Sequence, residues 1–142
     1  MDTQAYRAEH RRILQHVSEL LSLSQDIRTR GDAIQARGVM DRLDAVLKAH
    51  LEREDGELYA QLQRSDDAEV RATADRAVED MGGLRDAWAS FLARSQIDVM
   101  LADRPRFAAA CTALMEALAF RVRWEDDTLY ALVDGVCDRP GG

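Results

Sequence analysis

Residues 50–62, HLEREDGELYAQL, recur 71 positions later as RVRWEDDTLYALV, residues 121–133. Five of the thirteen positions are identical: Glu54 with Glu125, Asp55 with Asp126, Leu58 with Leu129, Tyr59 with Tyr130 and Ala60 with Ala131. The same offset, half of the 142 residues, pairs Leu43 with Leu114, Leu47 with Leu118, Ile13 with Leu84, Val17 with Trp88 and Leu20 with Phe91. An unchanged offset over two segments per half is the mark of a duplicated unit. It constrains the fold to two copies of one supersecondary element about a pseudo-two-fold axis, and anything bound on that axis meets two equivalent half-sites.

The repeated unit is helical. Apolar residues recur at helical spacing in four long stretches, and the period-two alternation of a half-buried strand is found nowhere. The first stretch runs from about Thr3 to Arg30 through Ile13, Val17, Leu20, Leu21, Ser24 and Ile27, with Gly31-Asp32 as its punctuation. The second runs from Ile34 to Arg64 through Val39, Leu43, Val46, Leu47, Leu51, Leu58 and Leu62. Ser65-Asp66-Asp67 offers N-cap oxygens to the third, which passes through Val70, Ala74, Val78, Leu84, Trp88, Phe91 and Leu92 to Arg94, with Gly82-Gly83 as its weak point. Asp103-Arg104-Pro105 is a cap followed by a first-turn proline, and it starts the fourth, through Phe107, Cys111, Leu114, Leu118, Leu129, Leu132 and Val136. These stretches predict an all-α, antiparallel up-down-up-down four-helix bundle built from a duplicated hairpin. One domain over 1–137 and a flexible tail over 138–142 are expected.

The charge balance narrows the partners. With 26 acidic against 19 basic side chains the formal charge is −7, which disfavours a nucleic-acid backbone or an anionic membrane as partner. No apolar run approaches the roughly 20 residues of a membrane span, and Met1-Asp2-Thr3-Gln4 lacks the pattern of a secretory signal. Cys111 and Cys137 have no metal-type spacing and read as free thiols in a reducing compartment. A cytoplasmic protein is expected.

His50 and Glu54 are four apart, one turn above each other on the helix face that also carries Leu43, Leu47, Leu58 and Leu62. Both polar groups therefore point toward the core, where an ionised carboxylate needs a partner. His10 lies on the inward stripe of the first helix, between Tyr6 and Ile13. Two imidazoles and a carboxylate converging from adjacent helices form a metal half-site, to which the repeat adds Glu125. His16 falls on another face and reads as a rim residue. Tyr59 and Tyr130 recur symmetrically, and two roles are open to them: to pack the end of the bundle, which is the expectation, or to hydrogen-bond there; Trp88 and Trp124 read as core or interface anchors.

With these residues the chain resembles the hemerythrin-like, or HHE cation-binding, family. The resemblance rests on a first-helix histidine within AEHRRIL, the His50-Leu51-Glu52-Arg53-Glu54 element followed by a Leu-Tyr pair, and the second element from Arg121 to Tyr130. It implies a four-helix bundle holding two non-haem irons through five histidines and two bridging carboxylates, in a family many of whose members bind or sense dioxygen or related oxidants. By position, His10 and His50 match two histidines of one iron, and Glu54 and Glu125 match the bridging carboxylates. The other iron's histidines fall at Met81 and Arg121, with a companion position at Ala77. One half-site is thus kept while the other has lost its imidazoles.

Arginine has no lone pair to give a metal. Two placements are open to Arg121: turned inward to bridge Glu54 and Glu125 by charge-assisted hydrogen bonds, which is the expectation, or with its stem buried and its head in solvent. Two functions follow. One is a binding or sensing module holding at most one ion, iron or another divalent metal, on His10, His50, Glu54 and Glu125, with room for dioxygen or nitric oxide. The other is an iron-free structural or regulatory bundle, a homodimer or a protein's partner, in which Arg121 replaces the metal's charge. No enzyme is expected: a ferritin-like oxidase would need Glu-x-x-His elements, and none of His10, His16 and His50 has a glutamate three residues before it.

Overall fold

The computed structural model describes residues 3–137, which form five helices and no strand. Helix α1 is Thr3–Ser24. Helix α2 begins as Arg30–Arg53, widens into a π-helical segment, Glu54–Tyr59, and closes with Ala60–Gln63. Helix α3 is Ala68–Arg94 and α4 is the short Ile97–Ala102. Helix α5 begins as Arg104–Trp124, passes through a second π-helical segment, Glu125–Leu129, and ends as Tyr130–Cys137. The four long helices make the bundle, with α1 against α2 and α5, and α3 against α5 and the last turn of α2. The expected tail over 138–142 lies outside the described residues, as do the side chains of Val136 and Cys137.

The helix ends follow from capping chemistry and correct the sequence reading in two places. The first break falls before Thr29 and not at Gly31-Asp32. Thr29 accepts a hydrogen bond from the Asp32 N–H while the Asp32 carboxylate accepts from the Thr29 N–H, a capping box that satisfies two otherwise unpaired donors. Gly31 therefore lies inside the first turn of α2. Helix α4 was not expected at all; six residues are too few to show a period, and it packs against α2 and α5 where the chain crosses between α3 and α5. Asp67 and Asp103 cap α3 and α5 as their positions suggested. Gly82-Gly83 leaves α3 unbroken.

The inward stripes have the expected spacing. Helix α1 buries Tyr6, His10, Ile13, Val17 and Leu20, and α2 buries Val39, Met40, Leu43, Leu47, His50 and Leu51. In α3 the stripe passes through Ala77 and Met81, leaving Val78 exposed, and in α5 Met115 is buried where Leu114 was expected. Each fully buried leucine, such as Leu20, Leu43, Leu58 or Leu129, stabilises the fold by about 1.5–3 kcal/mol.

The core divides into two apolar layers. One holds Ile13, Leu47, Leu51, Leu118 and Val122; the other holds Tyr6, Leu58, Tyr59, Leu129 and Tyr130. Along α1, α2 and α5, the residues lying between these layers are His10, Glu54 and Glu125. A polar layer is thus enclosed on both sides by hydrocarbon.

Candidate metal centre

The π-helical segments position the carboxylates and their partners. In an α-helix a residue five positions on is rotated roughly 140° from its predecessor. Widening the turn to i→i+5 hydrogen bonding brings the two toward one face. Each segment starts at a glutamate, and the Tyr130 N–H donates to Glu125 O across the second. Glu54 and Tyr59, and likewise Glu125 and Tyr130, all turn inward and are buried. The tyrosines then cross over: Tyr59 Oη donates to Glu125 Oε2 at 2.8 Å, and Tyr130 Oη to Glu54 Oε1 at 3.0 Å. Both readings of these tyrosines hold at once: the rings pack in the apolar layer and the hydroxyls hydrogen-bond the site.

His10, His50, Glu54 and Glu125 expose 1, 2, 0 and 2 % of their surface, and one donor atom from each lies within 4.8 Å of all the others. His10 Nε2 is 3.0 Å from His50 Nε2, 3.0 Å from Glu125 Oε1 and 3.8 Å from Glu54 Oε1. His50 Nε2 touches Glu54 Oε1 and lies 4.0 Å from Glu125 Oε1. Donors about 2.1 Å from a common ion stand about 3 Å apart when adjacent and about 4.2 Å apart when opposite. The set therefore fits one ion with two nitrogen and two oxygen ligands. Glu54 Oε2 has no hydrogen-bond partner, so it is free to serve the same ion.

An outer layer fixes the imidazoles. His10 Nδ1 lies 2.8 Å from Asp126 Oδ1, and His50 Nδ1 lies 2.9 Å from Glu9 Oε2. An ionised carboxylate only accepts, so each Nδ1–H donates outward and each Nε2 faces the centre, the arrangement that orients a ligating histidine. Arg7 stands 3.9 Å from Asp126, and Arg53 pairs with Glu9. The sequence reading missed Glu9 and Asp126. The signal was there: Glu9 adjoins His10, and Asp126 is a repeated residue matching Asp55.

Burial resists charging His10 and His50, but hydrogen bonds to Glu125 and Glu54 outweigh it and raise both to about 9. Burial also works against ionising Glu54, and the hydrogen bonds from His10 and His50 overcome it, so its carboxyl sits well below its ordinary range. Burial, followed by the charges of Glu125 and Glu54, pushes Tyr59 and Tyr130 up. Two charged rings with nitrogens 3.0 Å apart repel. One cation taking all four lone pairs balances the carboxylates without that repulsion.

Arg121 does not make the expected double bridge. Its guanidinium is largely buried, donates to Ala77 O at 2.7 Å and to Tyr59 Oη at 3.3 Å, and stacks over Trp124. Its Nε is 4.0 Å from Glu125 Oε2 and has no hydrogen-bond partner. The carbonyl of Ala77 and the Tyr59 hydroxyl capture the fork before it reaches Glu54. Met81 is buried in the apolar layer and lines a cavity of about 300 Å³ with Leu47, Leu51, Trp88, Leu114 and Leu118. His16 lies at the half-buried rim, 3.9 Å from Glu19, and Trp88 is a core residue donating to Asp44 at 2.9 Å.

Among the described residues no helix is long and apolar enough to cross a membrane. No curated protein and no solved structure matches the chain. Residues 1–133 match the family model of the hemerythrin HHE cation binding domain. That match runs through all four long helices and every donor of the buried cluster, and the chain belongs to the hemerythrin HHE cation-binding family.

Proposed function

We propose that the chain is a hemerythrin-like binding module that holds one ion on His10, His50, Glu54 and Glu125 and has given up the second. The observation carrying this reading is the asymmetry of the centre. One side offers four convergent donors, while the positions related to His10 and His50 by the repeat hold Met81 in hydrocarbon and Arg121 on Tyr59 and Ala77. Neither Met81 nor Arg121 offers a hard lone pair to a second ion. Two imidazoles with carboxylates and open positions suit a non-haem iron ion, and the open positions would take a small ligand such as dioxygen or nitric oxide. The role is binding or sensing rather than turnover, in a reducing cytoplasm that suits the free, buried Cys111.

The alternative, an iron-free interaction bundle with Arg121 in place of the metal, is disfavoured by where the guanidinium lies. It stands outside the four donors and leaves Glu54 Oε2 without a partner. The deciding experiment is elemental analysis of protein expressed with ample iron and purified without chelators. One ion per chain, lost in His50→Ala, is the expected result. Two ions per chain would overturn the single-ion reading, and none in a stably folded protein would favour the iron-free bundle.

A further inference from the structure

Tyr59 and Tyr130 are equivalent under the repeat, yet their hydroxyls do not address the centre in the same way. Tyr59 Oη binds Glu125 Oε2, the oxygen other than the one that meets His10, and is itself held by Arg121. Tyr130 Oη binds Glu54 Oε1, the oxygen that His50 Nε2 touches, and lies 3.1 Å from His10 Nε2. Its two distances, 3.0 and 3.1 Å, match the 3.0 Å separating His10 Nε2 from His50 Nε2 and from Glu125 Oε1. The phenolic oxygen of Tyr130 thus stands among the donors, as one more of them, while that of Tyr59 stands behind one.

From this difference we infer that Tyr130 is a fifth protein donor to the ion, and that Tyr59 only positions Glu125. The inference rests on the single-ion reading above. A ring nitrogen has one lone pair, so an ion on His10 Nε2 would leave the fully buried Tyr130 hydroxyl only Glu54 Oε1 as its acceptor, with its own oxygen lone pairs beside the ion. A phenolate is a hard oxygen donor suited to a ferric ion; were such an ion held here, the Tyr130 O–H bond would break with the pair kept on oxygen, and the proton would be released to solvent as metal binding releases protons from its ligands. No electron moves in this step.

The test is to load the whole chain with ferric iron and record its metal content and visible spectrum. Phenolate bound to a ferric ion gives an intense visible charge-transfer band that histidine and carboxylate ligands do not supply. The band is expected in the parent and in Tyr59→Phe, and is expected to be lost in Tyr130→Phe with the iron retained. Resonance Raman of the parent carrying ring-deuterated tyrosine needs no variant, and shifted phenolate modes are expected there. Iron bound at one per chain without the band, or a band that survives Tyr130→Phe, would overturn Tyr130 as a donor while leaving the metal reading intact. A folded parent that takes up no iron would overturn both.

Discussion

The centre depends on single protons and lone pairs. Asp126 and Glu9 touch only the outer nitrogens of His10 and His50, yet they decide which nitrogen faces inward. Replacing a carboxylate by an amide keeps the size and removes the charge that holds the Nδ1 proton. Asp126→Asn and Glu9→Gln are each expected to weaken metal affinity about 10–100-fold with little change in helical content, measured by competition against a chromophoric chelator. Equal affinity in parent and variant would show that neither carboxylate orients its imidazole. The sequence made His10, His50, Glu54 and Glu125 legible because helical spacing puts them on inward stripes. Glu9 and Asp126 show in it only as a neighbour of His10 and as a repeated residue, because the contact each makes with a histidine crosses a helix interface.

At the scale of the element, the two π-helical segments and the caps control which faces turn inward. A strict 3.6-residue period rotates Tyr59 and Tyr130 away from their glutamates, and only the wider turn puts each tyrosine on one face with its glutamate. The capping box of α2 gives a stability prediction with a defined sign. Hydrogen bonds from the backbone N–H groups of Arg28 and Thr29 hold the Asp32 carboxyl below its ordinary value of 3.8. Its contribution is present above that value and is lost as pH falls through the lower folded value. The stability difference between parent and Asp32→Asn should therefore exist at neutral pH and vanish in acid, as read by denaturant unfolding across a pH series. Thr29→Ala is expected to cost about 1 kcal/mol. Conversely, Gly83 lies exposed inside α3 with open space where a Cβ would go, so Gly83→Ala should stabilise by about 0.5–1 kcal/mol, read as a raised unfolding midpoint, without altering metal content.

At the scale of the whole molecule, a polar layer sits between two apolar ones and stays ordered only if its charges are balanced. An ion that binds the folded chain alone adds about 2.7 kcal/mol at a hundred times its dissociation constant. Loading should therefore raise the unfolding midpoint, on the order of 5–10 °C, and a chelator should reverse the rise. Arg121→His combined with Met81→His restores imidazoles where the repeat calls for them, and metal content should rise from one ion toward two per chain. A folded double variant with unchanged content would mean that the repeat does not map one half-site onto the other. The duplicated helical hairpin, the inward faces and four donors are properties of the linear chain, because period and offset are written residue by residue. Three further things were decided only by tertiary packing: the crossing of Tyr59 to Glu125 and of Tyr130 to Glu54, the capture of Arg121 by Ala77 and Tyr59, and the carboxylates behind each histidine. Each depends on which groups from distant helices come within 3 Å or so of one another, and no spacing along the chain carries that distance.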